Sequence, residues 1–341
     1  LRTREFLWQE GHTAHATSDE AEAETRQMLD VYADFAINDA AVPVIKGKKS
    51  EREKFAGAVD SYTIEAIMGN GWALQSGTSH FLGQNFAKAF DIKFLDQANE
   101  MQYAWTTSWG LSARMIGAII MVHGDDQGLR LPPVMAPTQA VIVPIYKKEE
   151  ERVEVLAFAR TVEAQLKQAG VRVHFDGREE LTPGFKFNDW EMRGVPVRIE
   201  IGPKDVKQNA VVLVRRDSSR EIEAAGGPKA KQFGVPVDGL AAAVQSLLIE
   251  IQASLLAQAT TYREANTRTG IRSYDEFKEV LDSQGGFIRV HWAGSSEDED
   301  TIKTDTKATI RCYPFEAPEG EGICFYTGKR TDRIAIFARA Y

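Results

Sequence analysis

The first fifteen residues place an unusual set of side chains on one face of a predicted strand. Alternation along residues 1–15 puts Phe6, Trp8, Glu10 and His12 on the same side. Aromatic walls, a carboxylate and an imidazole make a poor core but a good pocket for a small zwitterion, because the carboxylate can pair with an ammonium group. Spacing alone leaves a second interpretation open, in which this segment is a half-buried edge strand.

Two later segments also combine polar side chains with strand-like or glycine-rich sequence. Residues 75–80 read Gln-Ser-Gly-Thr-Ser-His and are followed by Phe-Leu-Gly-Gln-Asn-Phe, and residues 109–117 read Trp-Gly-Leu-Ser-Ala-Arg-Met-Ile-Gly. With residues 1–15, they resemble the end of motif 2, the next active-site strand and motif 3 of class II aminoacyl-tRNA synthetases, in the form found in prolyl-tRNA synthetases.

The resemblance continues in the second half of the chain. Residues 183–191 and 194–205 are similar to the anticodon-binding domain of the same family, and the match extends nearly to the final Tyr341. It implies an α/β (α+β) protein with an antiparallel-sheet class II catalytic core, a mixed-sheet anticodon-binding domain and a small α/β C-terminal domain. We place their boundaries at residues 1–136, 137–267 and 268–341.

The resemblance also implies roles for individual residues. Phe6 would stack on adenine, and Arg2 and Thr3 would lie near the triphosphate or adenine. The residues that would enclose proline are Trp8, Glu10, His12 and His80. The remaining contacts with ATP would come from Gln75, Thr78 and Arg114. An alternative for Gln75 and Thr78 is that they are polar strand residues satisfied by their neighbours.

The implied reaction requires no protein nucleophile. The carboxylate of proline attacks the α-phosphate of ATP, which is bound with Mg²⁺, giving prolyl-adenylate and pyrophosphate. A hydroxyl of the terminal adenosine of tRNA(Pro) then takes the prolyl group. Negative charge develops on the phosphoryl oxygens, so the site needs fixed cations and alignment more than a base. Arg114 is the predicted catalytic residue, since a guanidinium keeps its proton.

Four charged residues are predicted to read the anticodon: Glu191, Arg198, Lys204 and Asp205. Proline anticodons end in two guanines, and an unpaired guanine offers N–H donors to a carboxylate and O6 and N7 acceptors to a cation. Two acids and two bases suit that target. The alternative is a surface ion-pair cluster at the end of a strand.

Hydrophobic periodicity predicts the main helices. The first has a capping box formed by Thr17 and Glu20 and continues to about Ala40, with its apolar face at Met28, Val31 and Phe35. The others span residues 147–169, with Val153, Leu156, Val162 and Leu166 inward, residues 237–266, and a short segment capped by Ser273.

Predicted strands surround these helices. Residues 140–146 and 171–175 flank the 147–169 helix as a β-α-β unit, which requires parallel strands. Further strands are predicted at residues 197–201, 210–216, 287–291, 309–315 and 334–341. The charge run at 297–300 is interpreted as a solvated loop.

Composition agrees with a globular protein of several domains. The chain has 341 residues, 43% hydrophobic residues and a net charge of -8, which leaves RNA binding to a local basic patch. Its two cysteines, Cys312 and Cys324, favour a reducing compartment, and we expect a cytoplasmic protein. The longest apolar stretches, such as residues 115–122, are too short to cross a bilayer, so no membrane partner is expected.

Two departures from the family pattern carry expectations. Motif 1, which builds the homodimer interface, the first strand of motif 2 and a Thr-x-Glu loop that holds the proline nitrogen are absent. We therefore expect the natural polypeptide to continue upstream of Leu1 and a chain starting there to be inactive by itself.

The C-terminal domain is expected to lack structural zinc, because residues 292–297 contain no thiol and Cys324 has none beside it. Cys312 is interpreted as a small buried apolar residue, and the domain core as Phe287, Trp292, Phe315, Phe325 and Phe337.

Several other classes of protein are less consistent with the sequence. A threonyl-type enzyme would need a zinc-binding cysteine in the catalytic core, and none precedes Cys312. The histidines near residue 12 and the lysines within 46–49 mimic class I signatures but lie too close together, and residues 322–329 lack phosphate-loop spacing. A synthetase-like RNA-binding or regulatory protein without catalysis remains the alternative.

No editing domain is expected between motifs 2 and 3. Arg4 and Arg114 are only 110 positions apart, and the catalytic core uses most of that interval.

Overall fold

A computed structural model describes residues 4–316 and 320–341, and the chain divides into two compact units. The large unit comprises Leu1–Asn38, Val42–Val122 and Ala259–Tyr341. The small unit comprises Asp39–Ala41 and His123–Gln258. The large unit therefore contains both ends of the chain.

The first part of the large unit is an antiparallel sheet with three helices and a separate hairpin of two short strands. Its elements are β1 (Trp8–His15), α1 (Ser18–Asp34), β2 (Ile45–Lys48), β3 (Asp60–Ile67), β4 (Ala73–Gly83), α2 (Asn85–Ala89), β5 (Lys93–Leu95), β6 (Met101–Tyr103), β7 (Trp105–Ser112) and α3 (Arg114–His123). Strands β1, β7, β4, β3 and β2 are neighbours in that order, and each adjacent pair is antiparallel, while β5 and β6 form the hairpin. The interval between Arg4 and Arg114 is thus filled by these elements.

Helix α1 begins as predicted, since Thr17 and Glu20 form both bonds of the capping box. It continues as a π turn at Phe35–Asp39. The predicted apolar face was wrong at Val31, which is exposed; Met28 and Phe35 are half-buried, and the buried positions include their neighbours Leu29 and Tyr32. Alanine and threonine contribute to the face that contacts the sheet, so the larger apolar residues alone misplace it.

A close approach across the sheet aligns β1 with β7. Gly11 pairs with Trp109, and a Cβ at Gly11 would lie 2.2 Å from the indole ring. Only glycine lets the indole cross β1 at this point. This contact lies between Glu10 and His12 and sets their register against β7.

The small unit is built on a mixed sheet. Its elements are β8 (Ala140–Pro144), α4 (Glu149–Gln168), β9 (Val173–Phe175), α5 (Pro183–Met192), β10 (Val197–Ile201), α6 (Pro203–Lys207), β11 (Ala210–Arg215), α7 (Arg220–Ala224), β12 (Lys231–Pro236) and α8 (Leu240–Ala265). The strand order is β12-β11-β10-β8-β9, with β8 parallel to both β9 and β10. The predicted β-α-β unit is confirmed. Within α4, Val162 and Leu166 are buried as predicted, whereas Val153 is exposed and Val155 is buried in its place.

Helix α8 corrects the expectation that every apolar stretch is too short to span a bilayer. Among the residues that the structure describes, it is the one helix whose length and composition would allow a span. In the small unit one face of it packs into the core through Val244, Leu248, Ile251 and Leu255. That packing is the ordinary role of a long apolar helix in a globular core.

The C-terminal segment returns to the large unit. Its elements are β13 (Thr267–Arg268), α9 (Tyr274–Ser283), β14 (Phe287–His291), α10 (Ser296–Thr306), β15 (Ala308–Pro314), β16 (Gly322–Ile323), β17 (Arg330–Thr331) and β18 (Ile334–Arg339). Strands β15, β18, β14 and β13 continue the sheet beyond β2, because Tyr313 of β15 pairs with Lys48 of β2. A single nine-stranded sheet therefore joins the two ends of the chain.

The core of this segment is largely the predicted one. Trp292, Phe325 and Phe337 are buried together with Phe277, while Phe287 packs with Cys312 in an adjoining cluster. Phe315 was predicted wrongly, since it is 41% exposed and contacts the ring of Tyr62.

The predicted loop at 297–300 is also wrong. These residues lie at the start of α10, which is capped by Ser295. Their acidic side chains suit a helix N-terminus, where the helix dipole favours negative charge.

The end of the chain contacts the start of β4. The backbone N–H of Tyr341 donates to the carbonyl of Ala73, its hydroxyl bonds the Asn70 amide at 2.8 Å, and its ring lies 5.2 Å from that of Trp72. The last residue is thus fixed against the first part of the large unit by both its backbone and its side chain.

Candidate active site

A cavity of about 480 Å³ opens on one face of the sheet in the large unit. Strands β1, β4 and β7 meet there, and the following helix α3 contributes its first residue. The residues predicted from sequence that line this cavity are Phe6, Trp8, Glu10, Gln75, Thr78, His80 and Arg114. Its size suits a nucleotide with a small amino acid.

The β1 side of the cavity carries the predicted aromatic and acidic residues. The rings of Phe6 and Trp8 meet edge to face at 6.0 Å, and both are more than half exposed. Such exposed aromatic faces are available to a ligand. Glu10 Oε1 lies 3.4 Å from Nε2 of His12, but His12 itself lines a neighbouring, more apolar cavity that Glu10 also borders.

His80 of β4 is held as a neutral imidazole. Its Nδ1 lies 2.8 Å from Ser61 Oγ, which also accepts the backbone N–H of Phe55. The Ser61 hydroxyl has one proton and two lone pairs, so this bond can form with the ring proton of His80 on either nitrogen. Burial, together with the charge of Lys49, lowers the pKa of His80 to about 4.

Arg114 begins helix α3 at the junction with β7. Its backbone N–H donates to Ser112 Oγ at 3.3 Å, and Nη1 donates to the carbonyl of Gln75 at 3.3 Å. The guanidinium thus bridges from the end of β7 to β4, beside the polar side chains of that strand. Arg2 and Thr3 lie outside the residues that the structure describes.

Other residues of the cavity were not predicted from the sequence: Lys49, Glu53, Phe55 and Ser61. They belong to the loop after β2 and to the start of β3. The lysine-rich run within residues 46–49 is visible in the sequence. The sequence gives no signal, however, that Lys49 pairs with Glu65 of β3, whose Oε1 lies 2.9 Å from Lys49 Nζ. Phe55 lies 4.9 Å from the His80 ring and completes that wall.

The small unit contains a second candidate site, a cavity of about 300 Å³ beside β10 and β11. Glu191 and Arg198 line it and form an ion pair at 2.6 Å, and the Arg198 guanidinium also lies 4.2 Å from the centre of the Phe187 ring. Lys204 and Asp205 do not line it. They lie in α6, where Asp205 Oδ2 accepts the backbone N–H of Gly202 at 2.8 Å. The cationic residues of this cavity that sequence reasoning missed are Arg215, Arg216 and Lys231.

Cys324 lies in a tight turn of the C-terminal segment, where the backbone N–H of Thr327 donates to its sulfur at 3.4 Å. Thr327 stands where a paired thiol would be needed for a four-cysteine zinc site. Cys312 is fully buried among apolar residues of β15 and its neighbours. The residues that the structure describes around these two thiols do not fit a zinc ion.

Three family models together match most of the chain. Residues 1–123 match the tRNA synthetase class II core domain (G, H, P, S and T), and residues 139–247 match the anticodon binding domain. Residues 274–341 match the C-terminal model of prolyl-tRNA synthetase.

Individual relatives agree with these matches. The proline–tRNA ligase of Roseiflexus sp. (strain RS-1) is 54% identical over 342 residues, which cover 100% of this chain and 69% of the relative. That of Bacteroides fragilis (strain YCH46) is 53% identical, with 100% of this chain and 67% of its own length covered. The crystal structure of prolyl-tRNA synthetase from Cryptosporidium parvum, complexed with L-proline and AMP, is 38% identical with a TM-score of 0.91, and the match covers 100% of this chain and 70% of that one. The chain belongs to the prolyl-tRNA synthetase family.

Proposed function

We propose that the protein is a proline–tRNA ligase, which activates L-proline with ATP and transfers it to tRNA(Pro). The observation that carries this proposal is the cavity of the large unit, where Trp8, Glu10 and His80 lie beside Arg114. An acidic and aromatic pocket next to a fixed guanidinium can align an amino acid with a nucleotide phosphate.

The proline end of the site consists of Trp8, Glu10, His12 and His80. Glu10 supplies a carboxylate for the positive nitrogen of proline, while the Trp8 ring covers its apolar carbons. Because His80 is neutral, its imidazole adds a hydrogen-bonding group without adding a positive charge that would repel the nitrogen of proline. His12, in the adjoining cavity, acts on the far side of Glu10.

The nucleotide end consists of Phe6, Gln75, Thr78 and Arg114. The family resemblance assigns Arg2 and Thr3, which lie outside the described residues, to the same task. Phe6 offers an exposed ring for adenine to stack on. Arg114 stabilises the charge that develops on the α-phosphate as the carboxylate attacks, and pyrophosphate leaves. Mg²⁺ is bound with the triphosphate as part of the substrate and neutralises its charge.

The small unit supplies tRNA recognition in this proposal. Glu191 and Arg198 offer an acceptor and a donor to the Watson–Crick and Hoogsteen edges of guanine. Lys204 and Asp205, which lie in α6 and do not line that cavity, are assigned to the same task from the family resemblance. The division into residues 1–136, 137–267 and 268–341 follows these three roles.

The proposed oligomeric state, compartment and zinc content rest on the family resemblance and on the two cysteines. The resemblance supports a homodimer, and two free buried cysteines suit the reducing cytoplasm. The C-terminal segment is proposed to fold without zinc, on its aromatic core.

Charging of a tRNA(Pro) transcript with radiolabelled proline tests the proposed function in the complete gene product. We expect ATP-dependent charging with proline and none with threonine or serine. Charging with threonine but not proline would contradict the assignment.

A further inference from the structure

We propose that Arg311 and Glu299 are positioning residues for the amino-acid pocket: through Glu65 and Ser50 they fix the loop at residues 49–55, which forms one wall of that pocket. The proposal rests on the proposed function, since it concerns how the same pocket is held.

The wall itself is formed by three side chains of this loop. Lys49, Glu53 and Phe55 all line the cavity that contains His80 and Glu10. The loop is also tied to His80, because Ser61 Oγ accepts the N–H of Phe55 and bonds the imidazole. A displacement of the loop therefore changes the shape of the pocket and the support of His80.

A buried ion cluster connects Lys49 to the C-terminal segment. Glu65 Oε1 accepts from Lys49 Nζ at 2.9 Å and from Thr63 Oγ1 at 2.8 Å, while Oε2 accepts from Arg311 Nε and Nη2, both at 3.0 Å. The side chains of Lys49, Glu65 and Arg311 are at most 7% exposed. Burial acts to raise the pKa of Glu65, but Arg311 and Lys49 hold it below its usual value. Each carboxylate oxygen thus has a fixed partner.

A second tie comes from helix α10. Glu299 Oε1 accepts from the buried hydroxyl of Ser50 at 2.6 Å, and Ser50 Oγ in turn accepts the N–H of Glu53 at 3.3 Å. Lys303 of the same helix pairs with Glu53 at 2.9 Å. Two elements of the C-terminal segment, β15 and α10, therefore hold consecutive residues of the loop.

Removing Arg311 leaves a cluster that can still fold. Glu65 keeps Lys49 as a partner, so no uncompensated buried charge results, and methionine fills most of the volume of the arginine stem. The carboxylate loses its anchor at Oε2 and can turn, which moves Lys49 and the loop.

Proline-dependent ATP–pyrophosphate exchange by Arg311→Met in the complete gene product tests the proposal. We expect the KM for proline to rise about tenfold and the KM for ATP to change less than about twofold. Arg311→Lys should restore part of the loss, and Ser50→Ala should raise the proline KM about threefold without changing any charge.

The matched control is Arg339→Met, because Arg339 contacts Thr306, Leu281 and Asp282, all within the C-terminal segment. It should weaken that segment with little change in the proline KM. An equal shift in both arginine variants, or an unchanged proline KM in Arg311→Met, overturns the proposal. If Arg311→Met does not fold, the proposal is overturned by an unchanged proline KM in both Arg311→Lys and Ser50→Ala.

Hydrogen exchange supplies a measurement independent of activity. The amides of Lys49 and Phe55 donate to the carbonyl and the hydroxyl of Ser61, at 2.8 and 3.0 Å. We expect Arg311→Met to speed their exchange relative to Arg339→Met. Equal protection in the two variants overturns the proposed tie, whereas loss of proline-dependent exchange in the unaltered protein would refute the proposed function instead.

Discussion

Arg114 is the residue on which adenylate formation depends most directly. Arg114→Ala removes a cation from the place where charge develops, so we expect the rate of ATP–pyrophosphate exchange to fall about 100- to 1000-fold. Arg26→Ala is a suitable control, because Arg26 lies on α1 and bonds Glu22 and Tyr62 outside the cavity. Near-normal exchange by Arg114→Ala would remove this residue from the mechanism.

His80 makes the stability of the large unit depend on pH. Burial and Lys49 hold the pKa of its imidazole at about 4, against an unfolded value near 6.5. Above pH 6.5 both states are neutral and the contribution is complete. As the pH falls from 6.5 towards 4, the unfolded state binds a proton that the folded state does not, and stability is lost.

The magnitude of this loss can be measured by urea unfolding. When the pH is lowered from 7 to 5, the imidazole of His80 alone should lower the free energy of unfolding by about 2 kcal/mol. His80→Gln should reduce that difference, while the contribution of His123, whose pKa burial also lowers to about 4, is common to both proteins. An identical pH dependence in the two proteins would show that His80 is not held neutral by burial.

At the scale of elements, α5 and β10 bring Glu191 and Arg198 together. Glu191→Lys places a cation beside Arg198 and removes the acceptor for guanine, so the kcat/KM for tRNA(Pro) should fall about 10- to 100-fold. Proline activation should persist, because its cavity lies in the large unit. Glu149→Lys on α4 is the control, since Glu149 is exposed and pairs with Arg152 of its own helix. A parallel fall in activation would indicate a structural role for Glu191.

Local patterns predicted elements more reliably than they predicted pairing between distant elements. The capping box of α1, the β-α-β unit and strands β14, β15 and β18 follow from nearby residues. The charge run in α10 resembled a solvated loop, because the partner that buries Glu299 is Ser50, far away in the chain. Strands β2 and β3 were not predicted either.

The same distinction applies to the candidate active site. Phe6, Trp8 and Glu10 follow from alternation along one strand, and the family resemblance adds Gln75, Thr78, His80 and Arg114. Lys49 and Phe55 reach the cavity from a loop that bonds β3 and the C-terminal segment. Only the folded sheet brings these parts together.

For the whole molecule, the nine-stranded sheet connects the strands of the candidate active site with the C-terminal segment. We expect this segment to be stable without zinc, because Trp292, Phe325 and Phe337 form a buried aromatic core and Thr327 follows Cys324 in place of a second thiol. Elemental analysis after chelator treatment and refolding should find less than about 0.1 zinc per chain, with unchanged thermal unfolding. One tightly held zinc per chain, with loss of folding on its removal, would contradict this expectation.

Proline activation, the central step of the proposed function, is tested most directly by ATP–pyrophosphate exchange by the complete gene product with each amino acid in turn. If the cavity between β1, β4 and β7 binds proline beside Arg114, exchange will depend on L-proline, will be absent with threonine and serine, and will be lost in Arg114→Ala. A folded protein that binds tRNA(Pro) but shows no proline-dependent exchange would contradict the proposed function and favour an RNA-binding role without catalysis.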